Sequence, residues 1–282
     1  GITASSGTSA NININNNTIS VTGGGTTQAV TGIDNAIGST AASNTVNINN
    51  NIITGGYPTM TTGSWRGINN GANPTTINVN NNSVQDVALP ASTTTGTFTG
   101  ISNSGLSTLN MNFNTVKNIT LPGTGAFTGI SNSAGIITTL NIRGNNILNN
   151  TKTSTGTMNL LSVGAPATPA TVTISNDTIT GNKINGGAAA CTINCILQTG
   201  TSFYSVNNCL ISNNFINSMS GTAVATINGY SNQGANQVES IYNNTISNLF
   251  VSGTSSGQHL IRGITNNTGA GSTRNVYGNT IF

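Results

Sequence analysis

Four carboxylates are all that this 282-residue chain offers for acid–base chemistry: Asp34, Asp86, Asp177 and Glu239. A working acid and base must lie within roughly 5 to 9.5 Å of each other, and a Ca²⁺ cage gathers several oxygens around one point. The single histidine, His259, has no serine or cysteine beside it that would make a nucleophilic triad. Cys191, Cys195 and Cys209 lack the fourth ligand or neighbouring histidine of a zinc site. In an exported protein two of the three are candidates for a disulfide, with all three pairings open. Trp65 with Arg66 is the candidate glycan contact, since a sugar ring stacks on an indole face, although core packing is the more usual role of a tryptophan. Arg143 and Arg262 are scattered. These residues predict no catalytic set, no metal site and no cofactor.

The elements that must position them come from a repeat. An aliphatic, any residue, a small or polar residue, Asn, any residue and a second aliphatic recur nine times, starting at Ile14, Ile48, Val79, Met111, Ile142, Ile174, Ile211, Ile241 and Val276. The fourth position reads Asn17, Asn51, Asn82, Asn114, Asn145, Asp177, Asn214, Asn244 and Asn279. Successive copies lie 30 to 37 residues apart, the spacing of a solenoid in which each coil buries its face against the next. A second phrase interleaves with the first: Gly32-Ile33-Asp34-Asn35, Gly67-Ile68-Asn69-Asn70, Gly100-Ile101-Ser102-Asn103, Gly129-Ile130-Ser131-Asn132 and Gly263-Ile264-Thr265-Asn266.

Parity assigns the strands. Apolar residues alternate in Ile12/Ile14, Val46/Ile48, Ile77/Val79 and Leu109/Met111, as in a strand with one buried face. The next inward aliphatic, Ile19, follows Ile14 at an odd spacing, so the chain must turn a corner at the Asn pair. Asn suits that corner because it tolerates the left-handed conformation. A second short strand follows the corner, and the Gly-Ile phrase makes a third.

Three short strands per coil with an Asn corner resemble the right-handed parallel β-helix, the fold of pectate lyases and of many long bacterial surface proteins. The resemblance covers residues 1–282 as a single all-β domain of about nine coils, cut in phase at both ends like a fragment or repeating unit of a longer assembly. It implies an Asn ladder, in which the fourth-position side chains from Asn17 to Asn279 stack inside the corner and bond from coil to coil, with Asp177 the one departure. At ~4.8 Å per coil, Asp86 and Asp177 stand three coils and ~14 Å apart. Asp34 and Asp86 fall on different faces, so no acid/base pair forms. Aligned on the repeat, Glu239 and Arg274 take the inward position of Ile12 and Val46 on successive coils, which predicts an ion pair.

Charged residues are 4% of the chain, against about 25% in an ordinary domain, and a net charge of +3 built from so few groups makes no nucleic-acid surface. No apolar run reaches the roughly 18 residues of a membrane helix. Tyr242-Asn243-Asn244-Thr245-Ile246 and Gly129-Ile130-Ser131-Asn132-Ser133 are similar to repeat regions of type IX-secreted surface proteins of Bacteroidetes, and Asp177-Thr178-Ile179 resembles the short O-glycosylation signal found there. The expectation is a secreted or cell-surface, non-catalytic β-solenoid: a stiff rod, stalk, fibre segment or adhesin repeat. Its partners would be identical copies, end to end or side by side, or a polysaccharide or cell-surface glycan. The competing expectation is a carbohydrate-binding or polysaccharide-degrading β-helix, which needs a groove with aromatics and clustered acids.

Overall fold

Asn, Thr, Gly and Ser are poor helix formers, and aliphatics at every second position are buried most simply by stacking short strands. A computed structural model describes all residues except 6–10, 39–43, 90–94, 134–135, 165–169, 236–237 and 268–272. Among the described residues there is no helix, hence none long and apolar enough to cross a membrane, and the strands pair in parallel. The fold is a parallel β-solenoid. Two sheets of nine strands and one of fourteen run along it. The first sheet gathers the Gly-Ile strands from Ile2–Ala4 to Leu260–Asn266, and the second the alternating strands from Ile12–Asn15 to Thr273–Tyr277. The third holds the strands after the Asn corner, from Thr18–Thr22 to Thr280–Ile281.

Each coil is displaced from the last by one repeat, so like side chains stack on like. One column runs Ile14, Ile48, Val79, Met111, Ile142, Ile174, Val206, Ile241 and Val276. It is buried in every coil but the last.

The corner explains the Asn pair. Its first residue is left-handed in all nine coils: Asn16, Asn50, Asn81, Phe113, Gly144, Asn176, Asn208, Asn243 and Gly278, with φ between 54° and 67°. Asn and Gly take this conformation readily, whereas an aromatic pays a steric penalty. Phe113 is also exposed. Phe113→Asn should therefore stabilise the protein by about 1 kcal/mol, seen as a higher urea midpoint at unchanged slope. A lower midpoint would mean that the ring's contact with the next coil at Gly144 outweighs the backbone strain.

From the fourth coil onward a second corner divides the third-sheet strand, with Asn118, Asn149, Gly181, Asn213 and Asn248 left-handed. This corrects the expected ladder at one member. Asn214 belongs to the second corner, where its Oδ1 accepts from Asn182 Nδ2 at 2.9 Å. The first-corner column instead passes through Cys209: Thr178 lies beside Leu210, and the Cys209 N–H donates to Asn244 Oδ1 at 2.9 Å. Both corners combine a left-handed residue, a buried Asn and a following aliphatic, so the degenerate motif also fits Ile211–Ile216. With Cys209 in place, every step along the column falls between 31 and 35 residues. The coil of Cys191 and Cys195 therefore carries no insertion.

Candidate functional site

Inside the first corner the chemistry is that of an amide stack. Asn17 donates both its backbone N–H and Nδ2 to Asn51 Oδ1, at 3.0 and 2.9 Å. The same fork links Asn51 to Asn82, Asn82 to Asn114, Asn114 to Asn145, Asn145 to Asp177 and Asn244 to Asn279, at 2.7 to 3.1 Å. The second Nδ2 hydrogen goes to a carbonyl of the preceding coil, Ile14 O for Asn51 and Ile48 O for Asn82, both at 2.8 Å. Because Oδ1 takes a backbone N–H, the orientation of each amide is fixed. Asn51, Asn82, Asn114 and Asn145 are buried, where an unmet donor costs about 1–3 kcal/mol.

Glu239 and Arg274 face inward on successive coils, with 3.6 Å between Glu239 Oε2 and Arg274 Nε. They belong to a larger cluster. The Tyr230 hydroxyl donates to Glu239 Oε1, as does Asn232 Nδ2 at 2.9 Å, and Asn266 Nδ2 donates to Oε2 at 2.7 Å. Burial, and then the Glu239 carboxylate, push the Tyr230 phenol well above its ordinary pKa, so it remains a donor. An acid, a phenol and a guanidinium would suit catalysis if they met solvent. The Glu239 side chain is fully buried, whereas Arg274 keeps 28% of its side chain exposed. The cluster's geometry is that of a buried carboxylate surrounded by donors.

The glycan contact expected at Trp65 is corrected. Trp65 is fully buried and stacks on Phe98 at 5.6 Å, and Phe98 stacks on Phe127 at 4.9 Å. The cause is local: the strand Ser64–Asn70 buries both Gly67 and Ile68. With no Cβ to press into Val84, Gly67 lets two consecutive residues face inward, which shifts parity and turns Trp65 into the core. Arg66 alone remains outward, half-buried between Thr31 and Thr99.

The other candidates stay apart. Asp34, on the first sheet, accepts from Asn69 Nδ2 at 2.7 Å; Asp86, exposed on the third, accepts from Asn118 Nδ2 at 3.0 Å. His259 Nδ1 accepts the Ala225 N–H at 3.2 Å. Among the described residues no three His, Cys, Asp or Glu gather around one point. All three cysteines are free and buried. Cys191 and Cys195 lie in one extended strand, Cys191–Gln198, about 13 Å apart, and Cys209 stands at the corner, which corrects the disulfide expectation. No family profile, curated protein or solved structure matches the chain.

Three arrangements went unread in the sequence. A further buried ladder runs through Asn35, Asn70, Asn103 and Asn132, with Nδ2–Oδ1 distances of 2.7 to 2.8 Å; the Asn closing each Gly-Ile phrase was its signal. Asn13, Asn47, Asn78, Asn110 and Asn141 make an outward amide column on the second sheet at 2.8 to 2.9 Å. Lys152 is fully buried, its Nζ donating to the carbonyls of Gly123 and Gly125, and burial lowers its pKa to about 8. In the Asp177-Thr178-Ile179 phrase, Asp177 and Ile179 are buried and only Thr178 turns outward.

Proposed function

We propose that the chain is a stiff, non-catalytic rod outside the cell: a stalk, fibre segment or adhesive repeat of a secreted or surface protein. The observation that carries this reading is axial continuity. Interior amide ladders and an aliphatic core tie each coil to the next. Bending would stretch hydrogen bonds in a dry interior, where they are strong. Nine coils give an axis of roughly 43 Å at the strand spacing. Sparse surface charge would let identical copies pack end to end or side by side without repulsion. A second reading, a carbohydrate-binding module, is favoured by the outward amide column, where each Asn keeps hydrogen-bonding capacity beyond its ladder bonds. A polysaccharide-degrading role has less support, since the acids stand on separate coils and faces.

The test is electron microscopy of the native, untagged protein, combined with incubation on a panel of plant and microbial polysaccharides. Straight rods, single or joined, without release of reducing ends or unsaturated sugars, are the expected result. Cleavage of any polymer overturns the reading. Retention on one polymer without cleavage moves it to the binding module.

A further inference from the structure

The ladder makes a demand at Asp177 that only a proton meets. From the second coil on, its Asn members each send a hydrogen to a carbonyl of the preceding coil, three residues before the previous ladder position. Asn51 reaches Ile14, Asn82 Ile48, Asn114 Val79, Asn145 Met111, Asn244 Val206 and Asn279 Ile241, all at 2.7 to 3.0 Å. Cys209 breaks the pattern: its thiol lies nearest Asn207 O, at 3.4 Å, with Ile174 O at 4.0 Å. By the same geometry the acceptor facing Asp177 is the Ile142 carbonyl. Asp177 Oδ1 is already engaged, accepting from the Asn145 N–H and Nδ2 at 2.7 and 2.8 Å. Oδ2 is buried and accepts from no donor. Were it ionised, two acceptors would face each other across a dry corner with no hydrogen between them.

We propose that Asp177 is held as a neutral carboxylic acid whose Oδ2–H donates to the Ile142 carbonyl, making this coil a pH-sensitive joint in the rod. The joint is closed while the acid keeps its proton and loosens when it ionises. The surroundings supply no counter-charge. Asn145 faces it from the preceding coil and the Ser175 backbone from its own; among the described residues no cation does. On the next coil stands the Cys209 thiol, which burial drives far above its ordinary pKa, so that it too is neutral. Burial, only partly offset by hydrogen bonding from Asn145 and the Ser175 backbone, raises the Asp177 pKa from 3.8 to about 7. The folded state therefore binds this proton more tightly than the unfolded state. Its stabilising effect is complete below the unfolded value and is lost as pH rises through about 7.

The chain's four carboxylates are few enough to resolve by infrared difference spectroscopy. The full chain and its Asp177→Asn variant, which restores a ladder amide, are titrated from about pH 5 to about pH 9, with thermal unfolding followed in parallel. The expected native spectrum shows the C=O stretch of a buried carboxylic acid that fades near pH 7 and is missing from the variant. The native Tm falls from about pH 5 to about pH 7 and levels above it, while that of the variant stays level up to about pH 7. A native acid band already gone at about pH 5, or parallel Tm profiles, overturns the proposal. If that variant does not fold, Glu239→Gln, which removes the other fully buried carboxylate and should keep the band, assigns it to Asp177.

Discussion

Asn82→Leu is expected to cost about 3 kcal/mol, although leucine has the same side-chain branching as asparagine and is more apolar. Burying a leucine contributes roughly 2 kcal/mol. Against this, the change removes the Oδ1 that accepts the Asn51 N–H and Nδ2, and the Nδ2 that serves Asn114 Oδ1 and Ile48 O. Asn82 is 1% exposed, so water does not replace these partners, and unmet buried groups at about 1–3 kcal/mol each outweigh the gain. Asn78→Leu, on the same coil, is the control. Asn78 donates to Asn47 and accepts from Asn110 on the outer face, where water substitutes, and its loss should stay below about 1 kcal/mol. Chemical denaturation of both variants checks the pair; equal losses would mean that the inner ladder supplies only turn geometry.

Glu239→Ala should be the costlier change, at about 3–5 kcal/mol. It strips Tyr230, Asn232 and Asn266 of their acceptor and Arg274 of its counter-ion. Glu239→Gln separates charge from shape. Its oxygen keeps the bonds from Tyr230 and Asn232, but its amide meets the Asn266 amide donor to donor, so roughly half the loss should remain. Coils of a solenoid touch only their neighbours, so the damage should stay local. Hydrogen exchange should quicken in Ala225–Asn232, Val238–Tyr242, Leu260–Asn266 and Thr273–Tyr277, while the early coils keep their protection. Uniform loss along the chain would show instead that it opens as one cooperative unit.

Periodicity carried most of the architecture because a solenoid writes the same packing problem in each coil. The odd spacing from Ile14 to Ile19 locates the corner, and column alignment places Glu239 against Arg274, as the strand register does. The failures have physical causes. Cys209 fills a ladder position with a residue that has no amide, and a second corner of identical chemistry offered Asn214 as a decoy. At Trp65 the alternation rule broke because Gly67 and Ile68 both turn inward, a shift visible only once the missing Cβ is seen against Val84. Lys152 was illegible for another reason: its partners, the Gly123 and Gly125 carbonyls, lie a coil away in a loop whose path no pattern encodes.

Along the first-corner, Gly-Ile and second-corner ladders the side-chain amides also share a direction. Asn51 donates to Asn82, Asn70 to Asn103 and Asn150 to Asn182, always toward the later coil. The outer column runs in reverse, Asn47 to Asn13 and Asn78 to Asn47, but there water screens it. Dipoles aligned in a dry interior add as they do along a helix. These ladders thus act as an electrical bar with its positive pole toward the last coil. Two such bars lying side by side attract most strongly when they point in opposite directions, which favours antiparallel bundles over parallel ones.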